Sequence, residues 1–482
     1  MIRWRNILQI AGYFILALAA SLGLVVLFAL FHDDGGFDAL VLATLIAVGL
    51  GGFLCLACRC SPQQISNREG ILLVIITWVA AGLVGALPFY FSAHFGNFTD
   101  AFFESISGFT TTGATILEDI EALPRSLLLW RSLTHWIGGM GIILLGIAIL
   151  PLLGTGGMEL YRAEFSGARS ERLTPRIAET ALALWKLYLA FSLAEFLALW
   201  AAGMDYFDAI CHTFSTMATG GFSTRNASIA SFASPTIEFI IIFFMVVAGI
   251  NFTQHYRLLM ERRPRAFFTD YETRFYFVLL AAATAAVTFT LSWSSPDFFE
   301  ALRVALFQVV SIMTGTGFSS ADFGLWSPFA QLLLLALMFV GGCTGSTTGG
   351  MKVARIFLLF RVVAREFRRI VERRGIFAIR FNREAVSEST VQSLLNLVYI
   401  AFLINFSACM ALTALGVDVF TAISAVAASM FNIGPGLGSV GPSETYGHLP
   451  HLAKWVLSFC MLAGRLEYYT LLVLFTGAFW RK

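Results

Sequence analysis

The sequence predicts an all-α polytopic membrane protein, and three observations predict it. Of the 482 residues, 57% are apolar and only 13% charged, too little polar surface to solvate a globule of that size. Ten apolar runs are long enough to cross the membrane, whose hydrocarbon core is roughly 30 Å thick. Between such runs, an acidic, aromatic-rich stretch leading into a Thr/Ser- and Gly-rich turn recurs four times.

The runs fall near 8–31, 37–58, 70–93, 126–153, 179–203, 235–260, 275–294, 326–340 (continuing past a break to about 364), 391–415 and 452–479. The first is too long, and lacks the small-residue site, for a cleavable signal peptide. Positively charged loops are retained in the cytoplasm, which orients the chain. With Arg3 and Arg5 inside, the later inside loops carry Arg59 and Arg68; Arg162, Arg169, Arg172 and Arg176; Arg262, Arg263, Arg265 and Arg274; Arg361 through Arg383; and finally Arg481 and Lys482. Both termini are therefore expected in the cytoplasm. The other face carries Asp33, Asp34, Asp38, Asp100, Glu118, Asp119, Glu121, Asp205, Asp297 and Asp418. Such acidity would concentrate cations, although the topology rule alone produces the same asymmetry.

Intervals 94–125, 204–234, 295–325 and 416–451 all fall outside by parity, and each holds an apolar stretch too short to cross: FFESISGF, FDAICHTFSTM, FFEALRVALFQVVSIM and FTAISAVAASMF. Stretches of that length read as re-entrant helices. The turns TTTGAT (110–115), TMATGGFST (216–224), SIMTGTGFSS (311–320) and FNIGPGLGS (431–439) follow them directly. Non-helical backbone at membrane depth must be buried in protein or line a wet cavity. A re-entrant helix also points the negative end of its dipole inward, which favours a cation there. Carbonyls of the ascending turn can replace an ion's water shell, and glycine permits the angles that aim them. Aligning the turns places Gly113, Gly220, Gly315 and Gly434 together, preceded by Thr112, Thr219, Thr314 and Ile433. The expected lining is then Thr111, Thr112, Gly113, Ala218, Thr219, Gly220, Thr314, Gly315, Asn432, Ile433 and Gly434. With Ile433 and Pro435 the fourth turn departs most, which implies fewer well-formed ion sites.

The run GGCTGSTTGG at 341–350 interrupts what would otherwise be one long crossing. Each glycine costs a helix about 1 kcal/mol relative to Ala, so the helix should break inside the membrane. Such a segment either lines and obstructs a conduction path or offers small residues for close helix packing.

On these residues the chain resembles the Trk/Ktr/HKT superfamily of potassium transporters, in its TrkH/TrkG-type bacterial branch. The resemblance rests on the four turns, on HWIGGMGI (135–142), GINFTQHY (249–256), GGCTGSTTGGMK (341–352) and AGRLEYY (463–469), and on the extra helix pair at 8–58. It implies four helix–re-entrant pore loop–helix repeats with pseudo-fourfold symmetry around a pore, and a homodimer that takes up K⁺ across the bacterial inner membrane. It further implies that 341–350 is a gate beneath the filter, with Gly345, Ser346, Thr347, Thr348 and Gly349 at its centre. In this family a serine at the first turn's glycine position accompanies Na⁺ permeation, and Gly113 therefore points to potassium. The segments expected are a helix pair over 1–68 and repeats over 69–176, 177–265, 266–385 and 386–482.

Arg465 falls within the last crossing, where a charge costs about 2.5–3.5 kcal/mol unless it finds a partner or water. Carbonyls of 341–350, or a carboxylate of another repeat, could receive it, and a cation there could tie the loop shut. Lys352 either does the same or marks the cytoplasmic helix end. On this reading the third repeat alone carries a broken helix, and the fourth alone supplies the arginine.

Other matches carry little. Gly436, Gly438 and Gly441 fit G-x-G-x-x-G without a preceding strand, and Cys55, Cys58 and Cys60 lack a matching second ligand pair. The sequon at Asn97 is expected to carry no glycan. The basic stretch 361–383 could meet anionic lipid or a cytosolic partner. The resemblance implies a cytosolic TrkA-type nucleotide-binding subunit, for which loops 155–178, 261–274 and 365–390 are docking candidates; neither a nucleic-acid partner nor an organic cofactor is expected. Metalloprotease, serine-hydrolase and Walker motifs are absent, which argues against an enzyme. A channel-like K⁺ pathway and a secondary K⁺/H⁺ or K⁺/Na⁺ symporter both remain. The symporter needs a titratable group on the path, for which His135, His212, Glu104 and Glu467 are candidates.

Overall fold

The computed structural model describes residues 2–32, 34–60, 65–148, 173–293, 297–375, 377–382 and 384–481. Its regular structure is helical, save a minimal antiparallel hairpin pairing Arg380–Phe381 with Glu384–Ala385. That hairpin is the one departure from the all-α expectation among the described residues.

Among the described residues, six helices are long and apolar enough to cross a membrane: Trp4–His32, Phe37–Ala57, Asn67–Phe91, Ala181–Ala201, Tyr271–Leu291 and Glu388–Ala414. The number rises to eight if each of two bent pairs is one crossing. Large apolar side chains such as Leu24, Phe31, Phe53, Phe243, Tyr399 and Phe402 stay exposed on their outer faces, as hydrocarbon solvent requires. The first two helices pack closely where Gly12 meets Gly51: a Cβ on Gly12 would lie 3.0 Å from Gly51 O, small residues letting backbones approach. Arg3 anchors this pair to the third helix through Glu69, at 2.6 Å.

The remaining apolar runs take other forms. The run at 126–153 is the helix Arg125–Ala148; its last residues lie outside the described ones, as does most of loop 155–178 with Arg162, Arg169 and Arg172. In the third repeat a short helix, Pro328–Met338, gives way to the small-residue segment and resumes at Val353–Val371. The second and fourth repeats are broken as well, contrary to the expectation that only the third is. Pro235–Gly249 turns by 101° into Phe252–Leu259, and His451–Arg465 turns by 111° into Tyr469–Phe475. At the first break Ile250 is extended and Asn251 caps a new helix, accepting from Thr253 N at 2.8 Å; asparagine is among the best N-caps. At the second, Glu467 and Tyr468 adopt φ of 56° and 53°, which ends the helix because consecutive left-handed residues cannot continue it.

Four short helices, Phe98–Phe109, Tyr206–Met217, Phe298–Met313 and Val419–Met430, fill the interior. Three of them have twelve residues and Phe298–Met313 has sixteen; at ~1.5 Å each, twelve residues span about 18 Å, near half a bilayer. Each starts at a side-chain cap: Asn97 accepts from Asp100 N (3.0 Å), Asp205 from Phe207 N (3.2 Å), Asp297 from Phe299 N (2.9 Å) and Asp418 from Thr421 N (3.0 Å). Part of the acidity read from the sequence is therefore helix capping, which fixes where these helices begin. Their C-terminal turns are buried, and all four lead into the glycine turns.

Candidate functional site

The backbone of the four turns is the same. The residue ending each short helix donates to the carbonyl four back: Thr110 to Ile106, Ala218 to Phe214, Thr314 to Val310 and Phe431 to Ala427. Two residues on, the amide reaches five back, Thr112 to Ser107, Gly220 to Ser215, Thr316 to Ser311 and Ile433 to Ala428, all at 2.8–2.9 Å. Between these bonds Thr111, Thr219, Gly315 and Asn432 have φ of 52°, 53°, 67° and 54°; after them Gly113, Gly221, Gly317 and Gly434 have φ of 81°, 79°, 79° and 97°.

This register corrects the alignment made from sequence. Gly113 and Gly434 stand as expected, but their partners are Gly221 and Gly317, not Gly220 and Gly315. The one-residue and two-residue slips arose because turns two and three each carry two glycines, and only the second is followed by the phenylalanine, Phe222 or Phe318, that both share. Thr316, Gly221 and Gly317 join the candidate residues, and Thr314 moves to the helix end.

The four turns close on one another. A Cβ on Gly113 would lie 1.9 Å from Gly220 O, one on Gly221 2.0 Å from Thr316 O, one on Gly317 1.9 Å from Ile433 O, and one on Gly434 2.6 Å from Thr112 O. Each turn thus presses on the next in chain order, and the last returns to the first. Space and φ both demand glycine at these positions. A cavity of about 130 Å³ on the cap side is lined by the same four glycines, with Glu118, Arg131, Arg225 and Glu444 among its walls.

Beneath the ring lies the small-residue segment, held at the two new breaks. Cys343 N donates to Gly249 O (2.8 Å), Phe252 N to Gly345 O (3.1 Å) and Thr347 Oγ1 to Ala248 O (3.3 Å), all at the break of the second repeat. Ser346 Oγ and Thr348 Oγ1 share a hydrogen bond at 2.8 Å, and Lys352 Nζ donates to Thr348 O. Gly349 abuts the fourth turn, a Cβ there meeting Phe431 O at 2.1 Å. From the fourth repeat Arg465 Nη1 donates to Thr347 O at 3.0 Å; buried, it leaves Nε and Nη2 without a partner among the described residues. Two residues further, Glu467 pairs with Arg355 at 2.7 Å. Glu272 receives Thr344 N (2.6 Å) and Ala354 N (3.2 Å), tying down both ends of the segment. Gly345, Ser346, Thr347, Thr348, Gly349, Lys352 and Arg465 are thereby brought together.

Known proteins match this chain over nearly its whole length. Residues 38–482 match the TrkH family of cation transport proteins. The chain is 42% identical over 485 residues to the Trk system potassium uptake protein TrkH of Escherichia coli K12, covering 99% of this chain and all of that one. It is likewise 42% identical to the TrkH of Halomonas elongata, covering 99% of both. The crystal structure of the potassium transporter TrkH from Vibrio parahaemolyticus superposes with a TM-score of 0.92 at 38% identity, over 99% of this chain and 100% of that one. The chain belongs to the TrkH family. It is an integral membrane protein of a transport family, not an enzyme.

In this TrkH-family chain a further layer braces the ring, and reading the sequence missed its chief member. Arg131, fully buried in the first repeat's long helix, pairs with Glu104 at 2.6 Å, donates to Ser223 O at 2.9 Å and stands 3.5 Å from the centre of the Phe222 ring. It thus joins turn one to turn two. The signal was available: a lone arginine inside an apolar run, the same criterion that singled out Arg465. In every repeat the short helix also grips the ascending limb of its own turn. Glu104 receives Thr115 Oγ1 (2.9 Å), His212 Nε2 bonds Ser223 Oγ (2.9 Å), Gln308 Nε2 donates to Ala321 O (3.2 Å) and Ser424 Oγ to Leu437 O (2.8 Å). Ion pairs join neighbouring repeats, Arg303 to Glu238 and Lys454 to Asp100, each at 2.6 Å. His212 and Glu104 therefore support turns, and Glu467 holds the segment below.

Proposed function

We propose that this chain takes up K⁺ through the ring of four turns, which acts as a selectivity filter. The closed cycle of turn-to-turn contacts carries this reading, because four carbonyl-bearing turns around one axis are what dehydrating a monovalent cation requires. The lining comprises Thr111, Thr112 and Gly113; Thr219, Gly220 and Gly221; Gly315, Thr316 and Gly317; and Asn432, Ile433 and Gly434. Four repeats contribute two crossings each, with the broken helices counted as crossings, and the N-terminal pair brings the total to ten around a pseudo-fourfold pore. The short-helix C-termini turn their partial negative charge on the ion.

The segment 341–350 is the gate of this pathway. Its bonds to the second-repeat break and to Arg465 support that role, since a cation with two unpartnered nitrogens under the filter raises the barrier to K⁺. The protein sits in the bacterial inner membrane as a homodimer with both termini cytoplasmic. A cytosolic TrkA-type nucleotide-binding subunit docks at loops 261–274 and 365–390, where Arg262, Arg263 and Arg265 offer charge to an acidic surface.

One observation favours the symporter. Glu195 is fully buried beside Thr216, whose hydroxyl donates to His212 O at 2.8 Å, and beyond that hydroxyl no polar group among the described residues faces its carboxylate. Proton coupling would act on such a group. Reversal potential of the purified protein in liposomes decides: a channel follows the K⁺ gradient alone, whereas a potential that shifts with pH or Na⁺ at fixed K⁺ replaces it with the symporter.

A further inference from the structure

The second turn differs from its neighbours in how it is backed. In turns one and three a pair of threonine hydroxyls supports the backbone: Thr110 bonds Thr112, and Thr314 bonds Thr316, each at 2.8 Å. In turn two the matching residues are Ala218 and Gly220, so both hydroxyls are gone. Gly220 is not demanded by backbone conformation. Its φ is not left-handed, and Thr112, Thr316 and Ile433 hold the same place.

What excludes a side chain there is His135. A Cβ on Gly220 would lie 2.4 Å from its Nδ1, 2.5 Å from Cγ and 2.6 Å from Cε1, which places the imidazole where turns one and three have the threonine side chain. The ring is completely buried and stacks on Phe222, two residues along the same turn, at 4.0 Å and 15°. Nδ1 lies 3.4 Å from the hydroxyl of Ser215, whose carbonyl receives Gly220 N at 2.8 Å. Nε2 has no partner among the described residues. The histidine comes from the first repeat's long helix, which fits closely because Gly139 faces Ala218: a Cβ on Gly139 would meet Ala218 Cβ at 2.8 Å.

We infer that His135 is a positioning residue for ion selectivity, an imidazole contributed by repeat one that replaces the missing side-chain support of turn two and sets the carbonyl of Gly220. This rests on the filter reading and adds to it. The threonine pairs and the histidine are two solutions to one packing requirement, exchangeable in a predictable way.

The test is a double-substitution cycle read as the K⁺/Na⁺ permeability ratio from bi-ionic reversal potentials in liposomes, with Gly113→Ser as the control on the filter itself. His135→Ala should lower the ratio about tenfold, equivalent to ~1.4 kcal/mol of discrimination, and Gly220→Thr alone should do so equally, because the ring blocks the new side chain. Together, His135→Ala with Gly220→Thr should recover most of the ratio. A wild-type ratio in His135→Ala, or no recovery in the pair, overturns the inference while leaving the filter intact. No change in Gly113→Ser overturns the filter reading first. If His135→Ala does not run as a single species on size exclusion, His135→Phe takes its place; it keeps the ring and should hold the ratio within about threefold, or ~0.7 kcal/mol, and a tenfold fall overturns the inference.

Discussion

Replacing Gly317 with alanine tests the corrected register against the one read from sequence, because Gly315, two residues earlier, supplies an internal control. Both glycines are left-handed, at 79° and 67°, so alanine at either costs about 1–2 kcal/mol in backbone conformation. Space separates them. A Cβ on Gly315 would find Asn432 O at 3.2 Å and Gly349 N at 3.6 Å, whereas one on Gly317 would lie 1.9 Å from Ile433 O and 2.8 Å from Pro435 Cδ. To restore ordinary contact the Ile433 carbonyl must retreat by about 1.5 Å, and Pro435 restricts how the fourth turn can give way. Gly317→Ala should therefore reduce the K⁺/Na⁺ permeability ratio by at least about tenfold, or ~1.4 kcal/mol. Gly315→Ala should keep it within about threefold while losing the backbone term in thermal stability. The assay is the bi-ionic reversal potential of purified protein in liposomes, with size exclusion confirming assembly. Equal damage from both, or greater damage from Gly315→Ala, would refute the register.

Further outcomes follow from the contacts around the ring. Arg465→Ala removes the bond to Thr347 and the charge below the ring of turns, and should raise basal K⁺ flux through the isolated protein; an unchanged flux counts against the proposed gate. Glu104→Ala strands Arg131 as a buried unpaired cation and should lower stability by about 3–5 kcal/mol, seen as a fall in Tm in detergent. Glu104→Met with Arg131→Met should restore part of that Tm. Glu195→Gln should leave the reversal potential following K⁺ alone at every pH, and loss of a pH-dependent component in that variant would establish proton coupling.

Much of this architecture was legible because it is written in periodicity and punctuation. The apolar runs, the short helices and the turns all follow from run length and glycine placement. The interruption at 341–350 was readable from ten consecutive small residues. The breaks at Ile250 and at Glu467 to Tyr468 were not, since neither carries a proline or a glycine cluster. One depends on an asparagine cap within an apolar run, the other on tertiary pairing of Glu467 with Arg355. The register of turns two and three was misread because sequence offers two glycines for one site; the phenylalanine after the second, Phe222 or Phe318, was the available signal, and the backbone bonds and the contact with the next turn decide it. Arg465 was found by its charge in an apolar run; Arg131 satisfied the same criterion but escaped notice, and His135 drew attention as a titratable group and as the start of HWIGGMGI, not for its place behind turn two.

The order of contacts around the ring bears on how the protein is made. Turn one meets turn two, two meets three and three meets four in the order the ribosome supplies them, but the closing contact joins residues far apart in the chain. Asn432 Nδ2 donates to Thr112 Oγ1 at 2.9 Å across 320 residues. Long-range closure of this kind comes late in assembly. A nascent chain released before the fourth turn would hold three turns and an open ring, so on the proposed function a selective ion path would exist only once the last repeat is in place.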